Sequence, residues 1–196
     1  METILHDVLG CVYSYAVQAF IFTILLSFTV LFFEQNGRKN ALRIWHDKWK
    51  ESNLFGRRLL FYFYVYIVLA RTLFNRTMLW DSLDDVLGGW WLERNPATGN
   101  MVFEAPENIL LFIPLMFLLF LSFPKTVWNT SKKKLIGKSI IISFLVSFFI
   151  ESNQLVFRIG TFQISDLVYN TLGGVLGCLF YFFVRNMKHT YEKRKR

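Results

Sequence analysis

The stretch Ser139-Ile-Ile-Ile-Ser143-Phe-Leu-Val-Ser147-Phe-Phe-Ile-Glu151-Ser-Asn-Gln154, followed by Asp166-Leu-Val-Tyr-Asn170-Thr-Leu-Gly173-Gly174-Val-Leu-Gly177, decides the fold. It belongs to two apolar spans, together Ser139 to Val184, joined by a turn over Phe157–Gln163. Ser139, Ser143, Ser147 and Glu151 recur every fourth residue, and Gln154 follows three later, so all five share one face of a helix. Asp166, Asn170, Gly173 and Gly177 do the same on the second span, where a polar edge runs into a small-residue edge. Small residues let two helices approach closely, and buried polar groups then find partners across the contact. An ionisable side chain within an apolar span is a functional-site hypothesis by default, which singles out Glu151 and Asp166.

Outward from there, apolar runs of bilayer length recur along the 196-residue chain. Charged residues make up 18% of it and hydrophobic ones 54%. A soluble domain carries roughly 25% charged residues, so the composition indicates an all-α polytopic membrane protein with no separate soluble domain. The net charge of +8 could suggest nucleic acid, but the basic residues sit between apolar spans, where they set topology instead. No nucleic-acid partner is expected. Cys11 and Cys178 form no metal or redox motif, and no cofactor signature occurs.

The first span is Gly10–Phe33, with Ser14 and Gln18 as a polar pair at helix–helix spacing. Met1–Leu9 lacks a basic start and a cleavage site, so this span is expected to be retained. Gln35–Arg58 is basic, with Leu42, Trp45 and Trp49 on one face, and predicts an interfacial helix on an anionic leaflet. A second span covers Leu59 to about Phe74 and carries Arg71 near its far end. Asn75–Glu107 is the longest region between spans; its Asp81, Asp84 and Asp85 are read as solvated acids rather than a metal cluster. The third span runs from Pro106 through Phe123, with Glu107 as an ordinary helix-start acid, Asn108 as its first intramembrane polar group, and Pro114 expected to kink it.

With five spans the connecting segments divide sharply. Gln35–Arg58, Pro124–Lys138 and Arg185–Arg196 hold 18 of the 22 Lys and Arg; Met1–Leu9, Asn75–Glu107 and Phe157–Gln163 hold 3, and Arg71 is the last. The excess of positive charge inside then predicts the N-terminus outside and the C-terminus in the cytoplasm. In that orientation Arg71, Asn108, Glu151, Gln154, Asp166 and Asn170 all fall in the outer third of the bilayer, so a shared pocket is expected there.

The pattern Asn108-Ile-Leu-Leu-Phe-Ile-Pro114, then Glu151-x-x-Gln154, then Asp166-Leu-Val-Tyr-Asn170-Thr-Leu-Gly173-Gly174-x-x-Gly177 resembles the VanZ-like family. On those motifs the resemblance covers Arg71 to about Tyr181. It divides the chain into a first span and basic loop (1–58), a four-helix core with an extracellular loop at 75–107 (59–184), and a basic cytoplasmic tail (185–196). This chain departs from the family in having Gln163 where an acid is frequent, and Leu115-Met116 where a glycine is. The resemblance implies a multi-pass bacterial envelope protein of Gram-positive type, whose namesake confers resistance to teicoplanin, a glycopeptide with a fatty acyl tail. It carries no molecular mechanism with it.

Three functions fit these residues. In the first, Arg71 binds an anionic group of an envelope lipid or lipoglycopeptide, since guanidinium forms bidentate contacts with phosphate and carboxylate, while Asn108, Glu151, Gln154, Asp166 and Asn170 hold the Arg and bind polar parts of the ligand. In the second, Glu151 and Asp166 act as an acid–base pair of a membrane-embedded hydrolase or transferase, although no nucleophile stands out. In the third, the charges only fix helix register. A transporter is disfavoured, because no inverted repeat is visible and the acids stop at one depth.

Overall fold

The computed structural model describes residues 2–34, 41–74, 78, 83, 86–90, 93–94, 101–124 and 130–195. Six α-helices appear among them: α1 (Glu2–Glu34), α2 (Ala41–Glu51), α3 (Asn53–Leu69), α4 (Glu104–Ser122), α5 (Lys132–Phe157) and α6 (Ile164–Arg194). The 17 α-helical residues of α3 continue without a break into a five-residue π-helical turn, Ala70–Phe74. The only other regular structure among the described residues is a two-residue antiparallel ladder, with Glu93 opposite Val102 and Arg94 opposite Met101.

Four of the helices contain segments long and apolar enough to cross a membrane: Tyr13–Phe33, Glu104–Ser122, Lys132–Phe157 and Ile164–Lys188. The side chains say what solvent they face. On α5 the serines at 139, 143 and 147 and Glu151 are buried, whereas Ile141, Leu145 and Phe149 are more than half exposed. Such a helix is inside out for water. Exposed apolar faces of this extent match hydrocarbon, where burial is reserved for the polar groups.

The helices begin earlier than the apolar runs alone suggest. Arg57 and Arg58, expected in the basic loop, lie on the first turns of α3. There the Arg58 guanidinium stacks over the Phe123 ring at 5.3 Å, and the Ser122 hydroxyl donates to the Arg57 carbonyl (2.9 Å). Those contacts pin the start of α3 to the end of α4 and make the two antiparallel. The helix expected in the basic segment is present as α2, shorter than that segment and docked against α1. Trp45 donates through Nε1 to Ser27 on α1 (2.8 Å) and meets the rings of Phe28, Trp49 and Phe55.

Helix α4 sits centrally, packed on α3 and, most extensively, on α6; α5 packs on α6, and α1 on α3. The α4–α6 contact is closest at Gly173 and Gly177. A Cβ at either would overlap the Ile109 or Ile113 carbonyl oxygen, so only glycine permits this separation. Around this contact lie two apolar clusters, one of Met116, Phe120, Leu135, Cys178 and Tyr181, the other of Val68, Leu111, Phe112, Leu115 and Ile150. Pro114 lies inside α4 and removes one backbone donor from its ladder. The Tyr64 hydroxyl on α3 donates to the neighbouring Leu111 carbonyl (2.9 Å), supplying a bond from outside the helix.

Candidate functional site

All six residues singled out from the sequence lie at the same end of the bundle. Arg71 is in the π-helical turn that ends the α3 segment; Asn108 is in the first turns of α4; Glu151 and Gln154 are in the last two turns of α5; Asp166 and Asn170 are in the first two turns of α6.

The π-helical turn sets the position of Arg71. A single widened turn displaces backbone groups from the ordinary ladder, and such turns are frequent at functional sites. Here the carbonyl of Thr72 accepts a hydrogen bond from Gln154 Nε2 (2.9 Å), a buried contact joining α3 to α5. Gln154 itself is enclosed by the turn that follows α5. Arg158 adopts the left-handed conformation (φ 54°) and the Ile159 amide donates back to the Gln154 carbonyl (3.0 Å), which brings Gly160 against the Gln154 side chain.

Arg71 forms an ion pair through Nη2 with Glu107 Oε2 on α4, with both side chains about three-quarters buried. The expectation that Glu151 and Asp166 would hold the arginine is corrected: its acidic partner is Glu107, first read only as a helix-start acid. A signal for it was available, because an arginine at the end of one span and an acid at the start of the next occupy one depth. Asn108, one residue on, is half-buried. The guanidinium carries five N–H donors, and among the described residues only one is engaged.

Glu151 is 1% exposed, and its Oε2 accepts from the backbone amide of Gln163 (3.0 Å). The carboxylate therefore ties the last turns of α5 to the residue preceding α6. Gln163 contributes its main chain here. Asp166 is half-buried in the first turn of α6, where the helix dipole favours an acid. Asn170 donates through Nδ2 to the Ser147 hydroxyl (2.8 Å), while its Oδ1, like the Ser143 hydroxyl, is buried with no hydrogen-bond partner among the described residues.

A short piece of the long loop closes over this end. The amides of Ile164 and Ser165 donate to the carbonyls of Val86 (2.9 Å) and Leu87 (3.3 Å), and Trp90 rests on Tyr169 with ring centroids 6.2 Å apart. Two otherwise orphan donors at the start of α6 are thus satisfied by the loop. Asp81, Asp84 and Asp85 lie outside the described residues. Among those described, no group of three or more potential ligands is arranged for a metal ion.

Glu151, Gln154 and Asn170, which make three of these contacts, belong to the motifs on which the family resemblance rests, and comparison with known families agrees. The sequence profile of the VanZ/LLP1 family matches residues 15–185. The chain belongs to the VanZ/LLP1 family. The match includes most of the first long helix and the basic segment after it, both of which lay outside the motifs quoted above. Comparisons with curated proteins and with solved structures return no match.

Proposed function

We propose that this VanZ/LLP1 protein is a five-span protein of the bacterial cell membrane, with α3 and its π-helical turn as the fifth span, N-terminus outside and C-terminus in the cytoplasm. In this reading the polar end of the bundle is a pocket in the outer leaflet. It binds an anionic group of an envelope lipid, or of a teicoplanin-type lipoglycopeptide, and so lowers susceptibility to such drugs in a Gram-positive envelope. Support for the orientation comes from the basic segments, which the positive-inside bias assigns to the cytoplasm.

The observation that carries the pocket is Arg71. Its side chain is about one-quarter exposed, and its guanidinium is paired on one side with Glu107 and has further N–H donors for a phosphate or carboxylate. Gln154 holds the π-helical turn through the Thr72 carbonyl, enclosed Glu151 and Asn170 brace the helices behind it, and half-buried Asn108 and Asp166 offer groups to the rest of a headgroup. The alternative, a hydrolase or transferase using Glu151 and Asp166, is less well supported. A catalytic base must reach its substrate, and the Glu151 carboxylate is enclosed and already holds the Gln163 amide.

The test is expression in a teicoplanin-sensitive host of wild type, Arg71→Ala and Asp166→Asn at equal membrane levels, with mass spectrometry of the lipids that co-purify. Binding requires that wild type retain a lipid and confer protection, and that Arg71→Ala lose both. Equal protection by Arg71→Ala would end this reading. A chemically altered lipid accumulating with time would transfer the case to catalysis.

A further inference from the structure

Below the polar cluster lies a cleft of 210 Å³ between α3, α4 and α5, with an entirely apolar lining. It extends from Phe61 to Leu69 along α3 and from Ile142 to Ile150 along α5. At about 1.5 Å of rise per residue, each wall is roughly 12 Å long. One leaflet of hydrocarbon is about 15 Å deep, half of the usual core thickness. The upper end lies within one helical turn of the site: Val68 is three residues before Arg71, and Ile150 adjoins Glu151. Phe149, 57% exposed, stands at the outer side of the cleft.

These dimensions choose the occupant. Clefts that hold drug-sized molecules measure roughly 300–1,000 Å³ and place a few polar groups to orient their ligand. This one is smaller and has none, so it suits a slender apolar chain. Among the described residues, the cation at its upper end is Arg71, whose remaining donors suit a phosphate. We propose that the cleft holds one acyl chain of a membrane phospholipid whose phosphate lies at Arg71. This rests on the pocket reading above and adds a depth-ordered chain site, which makes selection among ligands depend on the chain as well as the head.

Full-length protein would be reconstituted in phosphatidylglycerol vesicles containing a trace of phosphatidylglycerol with a photoreactive diazirine, placed either near the carboxyl end or midway along one chain. After irradiation, peptide mapping should find the first probe on residues near Leu69 and Ile150 and the second near Phe61 and Ile142. Val146→Trp, which fills the middle of the cleft, should reduce both signals about tenfold, equivalent to 1.4 kcal/mol. Labelling of the outward Ile141 and Leu145 should stay constant, which also reports that the bundle is intact. Cleft labelling no greater than that of Ile141 and Leu145, or the absence of depth order in wild type, overturns the proposal whatever Val146→Trp does. Displacement of the probe by an acylated glycopeptide but not by unlabelled phospholipid overturns it too, in favour of the drug's tail. If depth-ordered labelling persists unchanged in Arg71→Ala, the chain site stands and the pocket reading fails. If lipid retention depends on Arg71 without cleft labelling, the reverse holds.

Discussion

Gln154 reaches across the bundle to the main-chain carbonyl of Thr72, 82 residues away in sequence, at 2.9 Å. Because Thr72 follows Arg71 in the π-helical turn, this one side chain fixes the strand of backbone that presents the guanidinium. Gln154→Met keeps the volume and loses the donor. A buried carbonyl without its partner costs about 1–3 kcal/mol, so we expect a lower unfolding midpoint in detergent micelles, with lipid retention falling as Arg71 loses its support. Gln154→Glu should be at least as harmful, since a carboxylate would face a carbonyl oxygen. An unchanged midpoint in both variants would mean that the π-helical turn is held by other contacts.

The Arg71–Glu107 pair makes a separable prediction. Removing either partner strands a charge at a partly buried position, whereas removing both does not. In a double-mutant cycle of Arg71→Met and Glu107→Met, we therefore expect each single variant to be less stable than the double would imply by addition, with a coupling of about 0.5–3 kcal/mol measured by thermal unfolding. Lipid retention should follow a different pattern, lost with Arg71→Met and kept in part with Glu107→Met. Additive stabilities would show that the two charges are solvated independently.

Much of this arrangement is legible in the amino-acid sequence, and for a definite reason. Lipid makes polar groups costly, so their positions on apolar helices are informative in a way that surface polar residues of a soluble protein are not. The four-residue spacing from Ser139 to Glu151 gave the buried face of α5, and Gly173 and Gly177 gave the contact face of α6. Pairing between helices was not legible, because several carboxylates share one depth and sequence records depth but not azimuth. Glu107 therefore won Arg71 from Glu151 and Asp166. Backbone roles were hidden for a similar reason: nothing in Ala70–Phe74 announces a π-helical turn, and any residue at 163 could offer its amide to Glu151.

The glycines of α6 differ in what surrounds them from those on open faces. A Cβ at Gly173 or Gly177 would meet main-chain atoms of α4, which cannot move aside as a flexible side chain can. Gly173→Ala and Gly177→Ala should each cost about 1–3 kcal/mol through forced separation of the helices. Gly137 on α5 has nothing within 4 Å of its would-be Cβ, so Gly137→Ala should be neutral or stabilise by up to about 1 kcal/mol from helix propensity. Unfolding of the three variants in the same detergent decides the matter. Equal effects at 137 and 173 would show that the α4–α6 contact is not the close one described.

Gly88 links the loop to the site. It is the only glycine among the described residues with positive φ (70°), and a Cβ there would overlap the Ser165 hydroxyl, so both its conformation and its surroundings exclude alanine. Gly88→Ala should lift the segment Val86–Gly88 from the start of α6 and expose the amides of Ile164 and Ser165, whose acceptors are the Val86 and Leu87 carbonyls. Hydrogen exchange followed by mass spectrometry measures this directly in the peptide that spans these amides. We expect faster exchange there in Gly88→Ala and no change in peptides from the middle of α4 or α5, because their ladders do not depend on the loop. Ser165→Ala is the matching control: it clears space beside Gly88 without altering the backbone, and it should keep the amides protected. Retained protection in Gly88→Ala would show that the loop is carried by the Trp90–Tyr169 contact instead, and rapid exchange already in wild type would show that the loop does not close this end of the bundle.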